Sequence, residues 1–228
     1  MKPLIIRLFA RLSQTLSQFA VAAVVCILLS MALSSATWAA QPATLLVFGD
    51  SLSAAYGLKE AQGWVNLLED KISESELNFK VVNASVSGET STGGLARLPA
   101  MLESYNPDVV IVELGGNDGL RGLPLKSLEK NLRAMVELIS RSGAKTLLTG
   151  IQIPPNYGVR YTKPFFEIYG NIANSEHLAL VPFLIDGIPQ QPELMQADGI
   201  HPKAEAQHLI LENVWPYLEP LLRESAIK

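Results

Sequence analysis

The sequence predicts a three-layer α/β/α fold built on a central parallel five-stranded sheet. Three observations lead there. Short apolar runs alternate with stretches of helical periodicity, the pattern of βαβ units. Those runs are rich in Val, Leu and Ile without polar alternation, as strands buried on both faces require. The residues that carry chemistry follow the ends of the runs, at the sheet edge where parallel α/β folds bind their ligands.

In chain order, Leu45-Leu46-Val47-Phe48 is too short for a globular helix and is closed by Gly49, so it reads as the first strand. Trp64, Leu67, Leu68 and Ile72 fall at helical spacing, and Phe79 to Val82 forms the second strand. Leu95, Leu98 and Leu102 mark the next helix, and Val109-Val110-Ile111-Val112 is the clearest buried strand. Pro124 opens a helix carrying Leu125, Leu128, Leu132, Val136 and Ile139, and Thr146 to Thr149 follows as strand four. No helix is assigned between that strand and a short fifth one around Leu180-Val181. A last helix runs from about Lys203 to Leu222, with Pro216 as the expected break. Five parallel strands with helices on both faces make the arrangement flavodoxin-like.

Residues 1–39 read as a secretory signal peptide ahead of a single domain, 40–228. Lys2, Arg7 and Arg11 are the only charges there, an apolar run from Phe19 to Leu33 follows, and Thr37-Trp38-Ala39 places small residues before the cleavage point. Cleavage is expected after Ala39, with Ala40 as second choice. The apolar run is shorter than the roughly 20 residues a spanning helix needs, so no stable membrane anchor is expected after cleavage. Cys26, the only cysteine, leaves with the leader, which removes disulfides and thiolate catalysis from consideration. A periplasmic or secreted location follows. Taking three of the 18 basic residues and none of the 22 acidic ones leaves 15 against 22, a formal charge of −7, which argues against a nucleic-acid partner.

Three stretches after strands, and one near the chain end, carry the chemistry. Gly49-Asp50-Ser51-Leu52-Ser53 delivers a serine just past the first strand, where a following helix would supply backbone N–H groups to a developing oxyanion. Taken alone, the same residues could equally cap a helix. Gly88, within Asn83 to Thr90, lets its backbone N–H approach a ligand closely. Gly115-Gly116-Asn117-Asp118 frees the chain to point the Asn117 amide into the crevice. Asp198-Gly199-Ile200-His201-Pro202 is a turn short enough to bring the Asp198 carboxylate onto the His201 Nδ1 and leave Nε2 facing outward, as a general base requires. An Asp-capped turn is the plainer alternative for that pair. A metal is disfavoured there because no second histidine is near, His177 and His208 each standing alone in helical sequence.

These four blocks, in this order, resemble the SGNH subgroup of the GDSL hydrolases, and the resemblance spans nearly the whole mature chain. Val82-Asn83-Ala84-Ser85, Gly94 to Pro99, Glu113 to Gly122 and Pro155-Asn156-Tyr157-Gly158 are similar to its bacterial periplasmic thioesterase I, arylesterase and lysophospholipase branch. The resemblance implies Ser51 as nucleophile, His201 as general base and acid, and Asp198 as its orienting carboxylate. It further implies an oxyanion hole made by the backbone N–H of Ser51, the backbone N–H of Gly88 and the Asn117 side chain. The implied activity is hydrolysis of small-molecule acyl esters and thioesters through an acyl-serine, with no metal or organic cofactor required, by a protein expected to be a monomer. Arg97, Glu113 and Asp118 also match, and are expected in support: Glu113 and Asp118 on the Asn117 backbone, Arg97 as partner of the carboxylate beside Ser51. The segment between Tyr56 and Trp64 is slightly longer than the branch pattern, which bears on one pocket wall.

Two loops beside the site are expected to take the acyl chain. Gly119 to Pro124 reads as a mobile segment presenting Leu120 and Leu123, and Ile151 to Tyr157 as a proline-stiffened wall presenting Ile153, Pro155 and Tyr157. The alternatives are an exported acetyl-carbohydrate esterase and a non-catalytic exported binding protein on the same scaffold. The first ranks lower because the mature chain has few aromatics to stack on sugar rings, and the second would be free to lose at least one of Ser51, Asn117, Asp198 or His201, all of which are present.

Overall fold

A computed structural model describes residues 41–226. The expected signal peptide and its cleavage point lie outside the described residues.

The strands are β1 (Ala43–Gly49), β2 (Phe79–Asn83), β3 (Val109–Glu113), β4 (Lys145–Thr149) and β5 (Ala179–Val181), all parallel, in the order β2-β1-β3-β4-β5. Between and after them come α1 (Trp64–Glu74), α2 (Ser91–Tyr105), the single-turn α3 (Gly116–Leu120), α4 (Leu125–Arg141), α5 (Val159–Glu176) and α6 (Gln207–Ser225). The predicted five-stranded, three-layer fold is the one observed.

Alternation along each strand builds the two cores. Leu45 and Val47 of β1 and Val109 and Ile111 of β3 face α1 and α6, meeting Trp64, Leu68, Ile72, Ile210, Val214 and Leu218. Leu46, Phe48, Val110 and Val112 face the other layer, formed by Leu98 of α2, Leu128 and Leu132 of α4, and Phe165 and Ile172 of α5. Every strand residue named here is fully buried. That explains the unbroken apolar runs in the sequence.

The strand order fixes where a ligand binds. From β1 the chain turns toward the α1 layer, whereas from β3 it turns toward the α4 layer, so the two exits diverge and leave a crevice at the carboxyl edge. Ser51 follows β1 and Asn117 follows β3.

Two elements differ from expectation. Helix α5 had no assignment, because Pro164, Gly170 and several β-branched and aromatic residues give it a weak local preference. Tertiary packing of Phe165, Ile168, Tyr169 and Ile172, spaced as one helical stripe, forms it nonetheless. Helix α6 is not broken at Pro216: it continues through Pro216 and Pro220. Its buried stripe Ile210, Val214, Leu218 and Leu222 runs straight down one face while both prolines sit on the exposed side, and that packing holds the helix together. Among the described residues no helix is long and apolar enough to cross a membrane.

Candidate active site

Ser51 stands two residues past β1, but the expected helix does not follow it. Instead the chain makes successive turns, with Ala54 N–H donating to the Asp50 carbonyl (2.9 Å), Tyr56 N–H to the Ser51 carbonyl (3.2 Å), and Ala55 at φ 53°. These turns carry Tyr56 over the His201 ring, with centroids 4.5 Å apart. Gln196 locks the two segments together, its amide donating to the carbonyls of Tyr56 (2.9 Å) and Pro202 (3.1 Å). A side chain at Gly57, where φ is 74°, would strike Gln196.

The residues from Asp198 to His201 fold into the compact turn their spacing suggested. Asp198 Oδ1 accepts the backbone N–H groups of Ile200 (2.9 Å) and His201 (3.0 Å), and Oδ2 lies 2.7 Å from His201 Nδ1. The Nδ1 proton is thereby directed to Asp198, so Nε2 is left as an acceptor, 2.8 Å from Ser51 Oγ. Burial alone would raise the Asp198 carboxyl, but the hydrogen bonds from the His201 ring and the two N–H groups outweigh it and hold the group below its ordinary value. Asp198 therefore stays an anion beside the imidazole. His177 and His208 are exposed, at the end of α5 and the start of α6. Among the described residues no group of three or more His, Cys, Asp or Glu could hold a metal ion.

Asn117 occupies the second position of α3. Gly115, at φ 120°, makes the sharp exit from β3, and a side chain there would run into the Tyr169 hydroxyl, which donates to the Leu114 carbonyl (3.1 Å). Asn117 Nδ2 donates to Asp50 Oδ2 (3.0 Å), leaving its second N–H available. Gly88 sits at φ 80° in the loop after β2, which is tied to the serine strand by Val86 N–H to the Gly49 carbonyl (3.0 Å) and by Gly49 N–H to Ser85 Oγ (3.1 Å). Arg121 Nη2 donates to the Gly88 carbonyl (3.0 Å).

The supporting residues take other partners than expected. Arg97 does not reach Asp50: it pairs with Glu89 (3.1 Å), donates to the Ala84 carbonyl (2.8 Å) and lies over the Phe48 ring. Asp118 leaves the Asn117 backbone alone and accepts Ser91 N–H (2.7 Å) and Oγ–H (2.6 Å), joining the start of α2 to α3. Glu113 accepts Asp50 N–H (3.1 Å) and Ser53 Oγ–H (2.8 Å) rather than any group of Asn117. Asp50, only 2 % exposed, is satisfied by Leu52 N–H (3.2 Å) and Asn117.

A cavity of about 380 Å³ opens beside Ser51 and Asn117. Leu120, Ile153 and Pro155 line it as expected of a chain-binding wall, but Leu123 and Tyr157 do not. Those two residues hold the segment instead: the Tyr157 hydroxyl donates to the Leu120 carbonyl (2.9 Å), and the Leu123 carbonyl accepts from the Tyr161 hydroxyl (2.8 Å). The opposite wall, Phe183, Leu184, Ile185, Pro189, Met195 and Ile200, was not anticipated; its signal was the apolar run Val181 to Ile185 that outlasts β5. No residue between Tyr56 and Trp64 lines this cavity.

Residues 47–209 match the family described as GDSL-like lipase/acylhydrolase. The chain is 53 % identical to the esterase TesA of Pseudomonas aeruginosa, covering 84 % of this chain and 96 % of that one. It is 43 % identical to the thioesterase 1/protease 1/lysophospholipase L1 of Escherichia coli K12, over 82 % and 89 %. The psychrotrophic esterase EstA from Pseudoalteromonas, in a structure inhibited by monoethylphosphonate, superposes with a TM-score of 0.75 at 44 % identity, over 79 % of this chain and 98 % of that one.

The buried carboxylate makes stability depend on pH. Burial raises the Asp50 carboxyl from 3.8 to about 6, against the hydrogen bonds from Leu52 and Asn117 that lower it. The folded state therefore keeps a proton on Asp50 that the unfolded chain has lost, and the Asp50 share of stability falls as pH rises from about 4 to about 6, on top of the fall contributed by Glu113, whose carboxyl is raised well above its ordinary value by burial and by the Asp50 charge. Asp198 has the opposite sign, adding stability lost only as pH falls below its ordinary range. Asp50→Asn should flatten the fall between pH 4 and 6 by an amount of order 1–3 kcal/mol in urea unfolding. A variant with the wild-type slope would show that Asp50 is not the titrating group.

Proposed function

This chain belongs to the GDSL-like lipase/acylhydrolase family and is an ester- and thioester-hydrolysing enzyme, and we propose that it works through an acyl-serine at Ser51. The observation that carries the reading is the line from Asp198 through His201 to Ser51 Oγ, with both contacts under 3 Å.

In the proposed mechanism His201 Nε2 takes the Ser51 proton as Oγ attacks the acyl carbonyl, and Asp198 steadies the imidazolium that forms. Asn117, with the backbone N–H groups of Ser51 and Gly88, takes up the oxyanion charge. His201 then gives its proton to the departing alcohol or thiol. A water activated by the same imidazole releases the acid. Each role needs its group fixed beforehand, and the turn at Asp198, the single-turn α3 and the Tyr56 ring supply that fixing.

The mostly aliphatic walls of the cavity support a substrate with an extended acyl chain over an acetylated sugar. The charge, apolar run and small residues of 1–39 support export to the periplasm or medium. We take the mature protein to act as a monomer without a membrane anchor.

Ser51→Ala should keep the wild-type melting temperature and lose nearly all ester hydrolysis, together with labelling by a fluorophosphonate. Undiminished turnover by a clean preparation would overturn the serine mechanism.

Chain-length preference tests the cavity. If each methylene buried is worth about 0.8 kcal/mol in the transition state, kcat/KM should rise by up to about fourfold per methylene and level off where the cavity ends. Ile153→Ser should flatten that rise while sparing acetyl esters, whereas Leu123→Ser should leave it intact because Leu123 lies outside the lining. Acetyl esters outperforming octanoyl esters in the wild type would favour the acetyl-carbohydrate reading.

A further inference from the structure

We propose that Glu113 is a positioning residue that acts as a neutral acid, sharing its proton with the Asp50 carboxylate so that Asp50 is held where it orients the Asn117 amide. The proposal rests on the roles of Ser51 and Asn117 given above and concerns what stands behind them.

Glu113 ends β3 in register with Gly49, the last residue of β1. A side chain at Gly49 would collide with Glu113 Oε2 and with Ser53, so the glycine ahead of Asp50 is what admits a carboxyl group between the two strand ends. Glu113 is fully buried. Its Oε2 takes the two donors available, Asp50 N–H and Ser53 Oγ–H, and its Oε1 meets no donor among the described residues. The expected cation, Arg97, is engaged with Glu89 and the Ala84 carbonyl.

An ionised Glu113 would thus be a buried charge with one oxygen bare, set against a second buried carboxylate. Neither condition is tolerable in a low dielectric, and a single proton relieves both. The strand register and the bond from the Asp50 N–H to Glu113 Oε2 bring the two carboxyl groups together at the strand ends, where each acts on the other's proton affinity. Burial first, and then the Asp50 charge, drive the Glu113 carboxyl well above its ordinary value. Asp50, which Leu52 N–H and Asn117 both stabilise as an anion, is the weaker holder of the proton. The other ionisable groups facing the pair are His201 from the C-terminal turn, which favours charge on Asp50, and Tyr169 from α5, whose hydroxyl is raised by burial and by neighbouring carboxylates.

The consequence reaches the oxyanion. One Asn117 N–H is fixed on Asp50, which aims the other, yet a full negative charge so close would oppose the charge forming on the substrate. Donation from Glu113 draws part of that charge away from the cavity. The pair keeps one proton throughout, and no proton is transferred in the reaction.

Glu113→Gln retains a donor for Asp50 and an acceptor for Ser53, whereas Glu113→Leu retains neither. The glutamine variant should hold kcat within about threefold of wild type, and the leucine variant should lose up to about a hundredfold in kcat with KM little changed, as for a mis-set oxyanion donor. Infrared spectra at pH 8 should show the carbonyl stretch of a protonated carboxylic acid in wild type and in Ser51→Ala, absent in Glu113→Gln. A wild type lacking that band, or a glutamine variant as slow as a folded leucine variant, overturns the proposal. If the leucine variant does not fold, the band and the glutamine variant's kcat decide. The band needs no turnover, so failure of ester hydrolysis itself would count against the Ser51 reading and not against Glu113.

Discussion

A carboxylate that is 2 % exposed stands one residue ahead of the serine, and most of the site is arranged to keep Asp50 there. Burying such a group without partners is prohibitive, so each neighbour is committed. Leu52 turns its N–H back onto it, Asn117 donates an amide, and Gly116 gives room, since a Cβ there would stand 3.1 Å from Asp50 Oδ2. Because Asp50 follows β1 and Asn117 follows β3, their hydrogen bond spans the crevice between the diverging connections. Satisfying one buried charge thus also sets the distance between Ser51 and Asn117, the proposed nucleophile and oxyanion donor.

The histidine half of the site is built by local geometry. Asp198 closes its own turn with two backbone N–H bonds before it meets the ring, so the carboxylate is already ordered when it orients the imidazole. Gly199 at φ 67° permits the reversal. The turn is fastened to the serine loop at two points, the Tyr56 ring on His201 and the Gln196 amide on the Tyr56 carbonyl. Tyr56 is half exposed, so its value lies in covering one face of the imidazole more than in core packing.

How much of this could be read beforehand follows from the range of the interactions. β1 and β3 were plain because burial on both faces writes an unbroken apolar run. Asp198 and His201 were plain because three residues of chain suffice to join them. The partner of Asp50 was not, since Glu113 and Asn117 lie 63 and 67 positions away and only the strand order brings them near, which is also why Arg97 was misplaced. Leu123 and Tyr157 were expected in the cavity because irregular loops carry no periodicity to say which way a side chain points. The Phe183 to Ile200 wall was missed for the same reason. In α6, packing of the Ile210 stripe overrode the local signal of Pro216.

The central claim is that Asn117, set by Asp50, stabilises charge that exists only in the transition state. Steady-state kinetics of Asn117→Ala on a short aryl ester, normalised to folded protein, addresses it most directly. The account predicts a fall in kcat of about a hundredfold to a thousandfold, roughly 3 to 4 kcal/mol, with KM changed far less. A variant that melts lower yet turns over at the wild-type rate per folded molecule would contradict it, and would reduce Asn117 to a brace for the loop after β3.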